Sequence, residues 1–268
     1  MHTSFSDGRL TPEELIAEAK KAGLHYIALT DHDTVDGISH LYESGLFPTK
    51  GIHIIPGIEF SAHHPLHEVH ILGYGIDIFC TSLLDKLNEV TDARWSRFSE
   101  IVEKLNGLGY AITEADVLAI AGVSKSISRS HIGRVLVKKG YFDSVRSAFE
   151  ELLSKGQPAY VPHYRLEVEE VLSLILAAEG RAVLAHPKLV YDEELVERIC
   201  QMGIDGIEVF YPQHDEDDTA HYLELAKKYG LLPAGGSDFH GFSTRYPTEI
   251  GVFTIPDEYA VPFYRAEN

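Results

Sequence analysis

Residues 11–33 read TPEELIAEAKKAGLHYIALTDHD, and this stretch contains the unit that decides the fold. Thr11 is suited to cap a helix, Pro12 suits the first helical turn, and Glu14 completes a capping box with Thr11. Gly23 ends the helical pattern, and the apolar, β-favouring run HYIALT follows it. The stretch ends with an Asp-His-Asp triplet (DHD). It therefore predicts a helix, then a buried strand, then a polar cluster.

The same unit recurs along the chain. It is found in residues 197–210 and 223–240, and in residues 168–187, where a helical pattern leads into the apolar run RAVLA. Two more strand candidates lie at residues 52–60 and 68–75. Helices that alternate with near-continuous apolar strands are typical of a parallel sheet or barrel covered on both faces. The sequence therefore predicts an α/β fold.

Residues 83–170 depart from this alternation. They read as a series of helices without a convincing buried strand, and they hold 12 of the 23 Lys and Arg residues against 13 acids. The rest of the chain holds 11 basic residues against 28 acids, so the acidity belongs to the α/β part. We predict that this helical segment (residues 83–170) is an insertion domain, and that residues 1–82 and 171–268 form one α/β domain.

The bulk composition excludes several classes of protein. The net charge of -18 argues against a broad basic face that binds duplex nucleic acid. No apolar run approaches the roughly 20 residues that span a bilayer, and no signal peptide is visible, so we expect no membrane partner. Cys80 and Cys200 are the only cysteines, which suits a reducing, cytoplasmic location. The 15 histidines are numerous for this length, and histidine is the commonest metal ligand.

Imidazoles and carboxylates gather at the predicted strands. In α/β folds, catalytic groups collect beyond the carboxyl ends of the strands. Such groups occur here in six separate segments, at His2, Asp7, Asp31, His32, Asp33, Glu59, His70, His186, Asp238 and His240. Residues two apart in extended chain point the same way, so Asp238 and His240 can reach one ion. This mixture suits zinc, manganese or iron, and we predict a metal site.

The remaining histidines need no functional explanation. A lone histidine is more often a packed or surface residue than a ligand, and we interpret the others in this way. They are His25, His40, His53, His63, His64, His67, His214 and His221. The sequence offers no Ser or Cys nucleophile flanked by a base, which leaves metal chemistry as the expected route.

Six motifs give the chain a family resemblance: HTSFSDG, ALTDHDTVDG, PGIEFSA, EVHILGYGID, LAHP and GSDFHG. Together they resemble the polymerase-and-histidinol-phosphatase (PHP) family of metal-dependent phosphoesterases over nearly the whole chain. The resemblance implies a distorted seven-stranded β/α barrel, similar to a TIM barrel, that holds two to three divalent ions (Mn, Zn or Fe). The helical segment, with SRSHIGR and GQPAYVP, resembles a branch of nucleoside 3',5'-bisphosphate phosphatases, some of which also trim short RNA from the 5' end.

The resemblance also implies a role for each ligand. Glu59 is expected to bridge two ions, one of which is also bound by His70 and His186. Asp7, His32 and His240 are expected to bind a third ion. His2 and Asp238 are expected to complete the ligand shell of the remaining ion. Of these residues, Glu59, His32, His240 and Asp238 are the expected catalytic groups.

The opening of the chain departs from the family pattern, which is Asp-Leu-His-x-His-Thr after a short strand. Met1 stands at the x, so the first His and that strand are missing from this sequence. We expect a sequence that starts too late, which leaves the first strand truncated. The alternative is a protein that functions with one ligand fewer.

The expected reaction is hydrolysis of a nucleotide phosphate monoester by metal-activated hydroxide. The favoured substrate is the 3'-phosphate of a nucleoside 3',5'-bisphosphate, with the 5' ends of short oligoribonucleotides as a further candidate. Four residues of the helical segment are expected to bind the substrate: Arg129, His131, Arg134 and Lys155. Two alternatives stay open, a metal hydrolase acting on histidinol phosphate or another substrate and a metal-depleted, non-catalytic binding domain.

Overall fold

The computed structural model describes residues 1–64, 67–162, 164, 166–242 and 247–265. Seven strands form the sheet: β1 (Tyr26–Leu29), β2 (His53–His63), β3 (Val69–Tyr74), β4 (Leu166–Glu167), β5 (Arg181–Leu184), β6 (Gly206–Phe210) and β7 (Leu232–Gly235). Their order is β1-β2-β3-β5-β6-β7, and β4 lies beside β2. Helices alternate with most of these strands, and the predicted α/β class is confirmed.

The prediction of a parallel sheet is wrong at β3. This strand runs antiparallel to β2, with His70 opposite Ser61, and antiparallel to β5, with Leu72 opposite Val183. The other strand pairs are parallel. Residues 64–68 are too few for the crossover of about a dozen residues that parallel neighbours require, so β2 and β3 pair as a hairpin. His70 therefore projects from within a strand and not from beyond its end.

The helices are α1 (Pro12–Lys21), α2 (Asp36–Glu43), α3 (Thr81–Gly107), α4 (Glu114–Ala121), α5 (Arg129–Lys138), α6 (Val145–Ala148), α7 (Val168–Ala177), α8 (Glu193–Cys200) and α9 (Glu216–Tyr229). A π-helical turn, Phe149–Leu153, continues α6, and 3-10 turns occur at Pro187–Val190, Asp257–Tyr259 and Val261–Phe263. The N-terminus of α1 is confirmed as predicted, with the Thr11 and Glu14 capping box and Pro12 in the first turn. None of the helices in the described ranges is long and apolar enough to cross a membrane.

The helical segment has a buried apolar cluster of its own. Phe98, Ile101 and Leu105 of α3 pack with Ile132 and Leu136 of α5, and all five are buried. The expectation that this segment contains no strand is wrong at its end, where β4 pairs in parallel with the last residues of β2. A two-residue strand is too short to show an alternating pattern, so it could not be predicted from the residues alone.

The first residues of the chain lie between the ends of β1 and β7. The Thr30 amide donates a hydrogen bond to the Met1 carbonyl at 2.9 Å, and the His2 amide donates to the Phe239 carbonyl at 2.9 Å. The side chains of Met1 to Asp7 are consequently next to the residues that follow both strands. Both ends of the chain thus contribute to the same part of the molecule.

Candidate metal centre

The eight residues predicted as metal ligands come together in one cluster. Seven of them form three overlapping groups, within each of which the nitrogen and oxygen atoms lie within 4.8 Å of one another. These groups are His2, Asp7, His32 and His240; His32, Glu59 and His70; and His2, Glu59 and Asp238. His186 joins the cluster through a contact with Glu59. Shared members make the three groups one continuous polar centre.

Glu59 of β2 lies in the middle of this centre. Its Oε2 is 3.0 Å from His2 Nε2, and the same nitrogen is 3.1 Å from Asp238 Oδ1. Its Oε1 faces the other way, 2.6 Å from His70 Nδ1 and 3.2 Å from His186 Nε2. The two oxygens of one carboxylate therefore face two different sets of side chains, which is the arrangement a carboxylate needs to bridge two cations.

Asp7 forms the outer part of the centre with three imidazoles. Its Oδ1 is 3.3 Å from His240 Nε2 and 4.0 Å from His2 Nδ1, and His32 belongs to the same group. The rings of His2 and His240 stack with centroids 3.9 Å apart. His240 Nδ1 lies 2.8 Å from the Asp238 carbonyl, to which it donates as the N–H tautomer, so the Nε2 lone pair faces Asp7.

The backbone turns through the left-handed region at three positions of this centre. Asp33 has a φ of 51°, His186 of 27° and Asp238 of 48°. Such angles are uncommon for residues other than glycine, and they cluster at functional sites where the surrounding structure holds them. All three positions follow the carboxyl end of a strand, namely β1, β5 or β7.

The donor set fits divalent cations. Three buried ring nitrogens of the centre have no hydrogen-bond partner within the described ranges: His2 Nδ1, His32 Nδ1 and His186 Nδ1. A buried polar atom without a partner costs a few kcal/mol, so such atoms are rare in folded proteins. Imidazole nitrogens and carboxylate oxygens that face one another at 3 to 5 Å are suitable ligands for ions such as Zn²⁺ or Mn²⁺.

Electrostatics also favours a cation here. Burial opposes the ionisation of Asp7, but His240 and His32 outweigh it and hold the pKa of Asp7 well below its usual range. Burial likewise opposes a charge on His2, but the adjacent carboxylates of Asp238 and Glu59 raise the pKa of His2 to about 10. Burial lowers the pKa of His32 to about 4, which leaves this imidazole neutral and able to ligate. When no metal ion is bound, a protonated His2 supplies part of the positive charge that offsets these carboxylates.

Asp31 holds the loop that carries His2 and Asp7. Its carboxylate accepts hydrogen bonds from the Thr3 amide and the Thr3 hydroxyl, both at 2.7 Å, and from the Ser6 hydroxyl at 2.5 Å. The sequence places Asp31 among the candidate polar groups because it follows β1. Its role in the structure is to fix the loop, since all of these contacts go to the backbone and hydroxyls between the two ligands.

Two further residues of the centre were missed from the sequence. Tyr211 donates its hydroxyl to Asp238 Oδ2 at 3.1 Å, and Glu208 of β6 accepts the His186 amide at 2.7 Å. Burial raises the pKa of Glu208 to about 8. The available signal was a carboxyl inside the apolar run GIEVF, because a buried acid requires a partner or a function.

Among the predicted substrate ligands, His131 is buried behind the loop of Asp7. Its Nδ1 accepts the Ser128 amide at 3.0 Å, and the Ser6 backbone is its other hydrogen-bond partner. Burial, together with the nearby Arg134, lowers the pKa of His131 to about 4. A neutral His131 with both ring nitrogens in contact with backbone holds α5 against this loop.

Arg134 is the predicted substrate ligand best placed to meet an anion. Its guanidinium carbon lies 4.7 Å from the centroid of the Phe242 ring, and its charge interacts with Asp7. Its Nε is buried and has no hydrogen-bond partner within the described ranges. A guanidinium is always protonated in a protein, so Arg134 places a positive charge in the surroundings of Asp7.

Arg129 and Lys155 are in different surroundings. Arg129 donates to Glu68 Oε1 at 2.7 Å and to the Leu153 carbonyl at 3.2 Å, and its guanidinium lies near the Phe149 ring. Lys155 is exposed in the turn after the π-helical residues. A substrate role for these two residues stays a prediction.

The chain is similar to a known protein family and to several known proteins. Residues 1–168 match the family model described as "PHP domain". The chain is 34% identical to a 3',5'-nucleoside bisphosphate phosphatase of Chromobacterium violaceum, over 89% of this chain and 85% of the relative. It is 32% identical to the 5'-3' exoribonuclease Rnm of Escherichia coli, over 89% and 83%.

A solved structure extends the likeness to the fold. This structure is of a Bifidobacterium adolescentis protein that is provisionally named a metal-dependent phosphoesterase. The two share 29% identity and a TM-score of 0.87, over 98% of this chain and 93% of that protein. The chain therefore belongs to the PHP domain family of metal-dependent phosphoesterases.

Proposed function

We propose that this chain hydrolyses phosphate monoesters of nucleotides, with the 3'-phosphate of a nucleoside 3',5'-bisphosphate as its substrate. The observation that carries the proposal is the position of Arg134, an unpartnered guanidinium nitrogen close to Asp7 at the edge of the metal centre. A second phosphate on the substrate gives this cation a ligand. The names of the Chromobacterium violaceum and Escherichia coli relatives support a nucleotide or short RNA as the substrate class.

The eight clustered side chains are proposed as the ligands of two to three divalent ions. Glu59 would bridge two of them, with His70 and His186 on one side and His2 and Asp238 on the other. Asp7, His32 and His240 would bind the outer ion. Ions bound in this way lower the pKa of water and neutralise charge on phosphoryl oxygens, which is the chemistry that ester hydrolysis needs.

The side chains of the protein then have three tasks. Arg134 binds the phosphate that is not cleaved and so orients the substrate across the centre. The carboxylates of Asp7, Glu59 and Asp238 keep the centre attractive to cations despite its burial. His32 and His240, the imidazoles next to Asp7, are the candidates to pass a proton to the departing alcohol.

We further propose that the seven strands form a distorted barrel, with the helical segment as an insertion domain that supplies Arg134. The separate buried cluster of α3 and α5 supports this division. In this arrangement, the barrel supplies the metal ligands and the insertion supplies the residue that selects the substrate.

A substrate panel tests the function. We would measure Mn²⁺-dependent phosphate release from a nucleoside 3',5'-bisphosphate, a nucleoside 3'-monophosphate and histidinol phosphate, and release of a nucleoside 5'-monophosphate from a 5'-phosphorylated RNA trimer, with chelator as the blank. The proposal expects the highest kcat/KM for the bisphosphate, with a nucleoside 5'-monophosphate as product. A higher value for the RNA or for histidinol phosphate assigns the enzyme to that substrate. Absence of metal-stimulated release from every nucleotide refutes the proposal.

A further inference from the structure

The residues after β1 are held from outside the α/β part of the molecule. His32 belongs to two of the three ligand groups, so its position affects more than one ion. It is followed by Asp33, whose φ of 51° turns the chain sharply. On one side, this turn pairs with β2, because the Asp33 amide donates to the Glu59 carbonyl at 3.0 Å. On the other side it meets the helical segment.

Arg94 of α3 makes the first contact from that segment. Its guanidinium binds Asp33 Oδ2 through Nη2 and through Nε, the latter at 3.1 Å, and its Nη1 donates to the Ile127 carbonyl at 3.3 Å. The other Asp33 oxygen accepts the Ser61 amide of β2 at 2.9 Å. Arg94 and Asp33 are 5% and 2% exposed, so water does not weaken the ion pair.

Ser126 makes the second contact. Its hydroxyl donates to the carbonyl of His32 itself at 2.6 Å, and Ser126 is also buried. The helical segment therefore holds both the main chain of the ligand and the side chain of the residue after it. Two independent contacts thus reach consecutive residues, His32 and Asp33.

A purely stabilising role explains these contacts poorly. Removing charges from water costs several kcal/mol per ion, and a buried ion pair often adds little net stability over apolar side chains of the same size. Groups that orient metal ligands, by contrast, typically change metal affinity or activity by about 10- to 100-fold when they are removed. A buried Arg–Asp pair beside a ligand shared between ions fits the second role better.

We propose that Arg94 and Ser126 are positioning residues through which the helical segment sets the orientation of His32. The inference rests on the proposed function, because it takes His32 as a metal ligand. Metal binding in the α/β part would then depend on the docking of the helical segment. Neither residue is expected to touch the substrate.

Mn²⁺ titration calorimetry on the full chain tests this inference. We would compare the wild type with Ser126→Ala, Arg94→Met and Arg94→Lys. Lys125→Ala is the matched control, because Lys125 also joins the helical segment to the α/β part, through a surface ion pair with Asp36 at 3.1 Å. Unfolding temperatures in chelator would report whether each variant folds.

The expected result is a loss of Mn²⁺ affinity of about 10-fold or more in Ser126→Ala and Arg94→Met. Arg94→Lys should recover part of the loss, and Lys125→Ala should bind as the wild type does. Should Arg94→Met fail to fold, Ser126→Ala decides, because it removes one hydroxyl without leaving a charge unpaired. Wild-type affinity in folded Ser126→Ala, and in Arg94→Met where it folds, overturns the inference and leaves the proposed function standing. A wild-type chain that binds no Mn²⁺ overturns both.

Discussion

Glu59 shows how one residue can organise a whole centre. Its backbone is fixed in β2, where it lies opposite Leu72 of β3, so its side chain has a defined direction. From there, one carboxylate oxygen faces His2 and the other faces His70. Losing this side chain removes a carboxylate that contacts His2 on one side and His70 on the other, and it takes no backbone hydrogen bond from β2.

We therefore expect Glu59→Ala and Glu59→Gln to lower phosphoesterase kcat by about 100- to 1,000-fold or more, because the charge that joins two ions is lost. Both variants should keep the circular dichroism spectrum of the wild type. Glu43→Gln is the control, because Glu43 is exposed at the end of α2, and this variant should retain full activity. Substantial activity in Glu59→Ala would refute the ligand assignment.

Arg134 is the residue on which substrate choice depends in this account. We expect Arg134→Ala to raise KM for a nucleoside 3',5'-bisphosphate by about 10- to 100-fold, the value of one hydrogen bond between charged groups. KM for a nucleoside 3'-monophosphate should change much less. Arg146→Ala is the matched control, because Arg146 pairs with Glu150 on the surface. Equal effects on both substrates would show that Arg134 does not bind the second phosphate.

The buried carboxyl of Glu208 should make the stability of the chain depend on pH in a known direction. Its pKa is about 8 when folded and about 4.3 in an unfolded chain, so folding takes up a proton between these values. Its contribution to stability consequently falls as the pH rises from about 4 to 8. We expect Glu208→Gln to stabilise the metal-free chain by about 1–3 kcal/mol at pH 8 and much less at pH 5, measured by urea unfolding. A difference that does not grow with pH would contradict this explanation.

At the scale of helices and strands, features that depend on neighbouring residues could be predicted better from the sequence than the pairing of distant strands. The N-terminus of α1 follows from Thr11, Pro12 and Glu14, because capping involves only neighbouring residues. The ligands could be anticipated because several of them follow strands. The direction of β3 and the existence of β4 depend on pairing with distant strands, which a single sequence does not contain. The contact of Arg94 with Asp33 was missed for the same reason, since 61 positions separate the two residues.

The long helix α3 offers a direct test of the cluster in the helical segment. Leu105 is fully buried, and Leu108 is 46% exposed three positions later. We expect Leu105→Ala to cost about 2–5 kcal/mol of stability in a thermal or urea unfolding experiment. The matched variant Leu108→Ala should cost no more than about 0.5 kcal/mol. Similar losses for both would mean that α3 does not pack as described.

For the whole molecule, the centre brings together positions that are far apart in sequence. His2 lies next to Asp238, and His186 contacts Glu59 across 127 positions. The chain carries a net charge of -18, and most of its acidity lies outside the helical segment. Bound cations reverse the local field, so an acidic protein can receive an anionic substrate at this one place.

The central claim is that these scattered imidazoles and carboxylates hold divalent ions together. Anomalous diffraction from crystals soaked in Mn²⁺ or Zn²⁺ tests it most directly, because it locates each ion independently of activity. We predict two or three anomalous peaks about 2 Å from the ligand atoms of the three groups, with Glu59 between two of them. Peaks only at other places, or no peak within this cluster at saturating metal, would contradict the account.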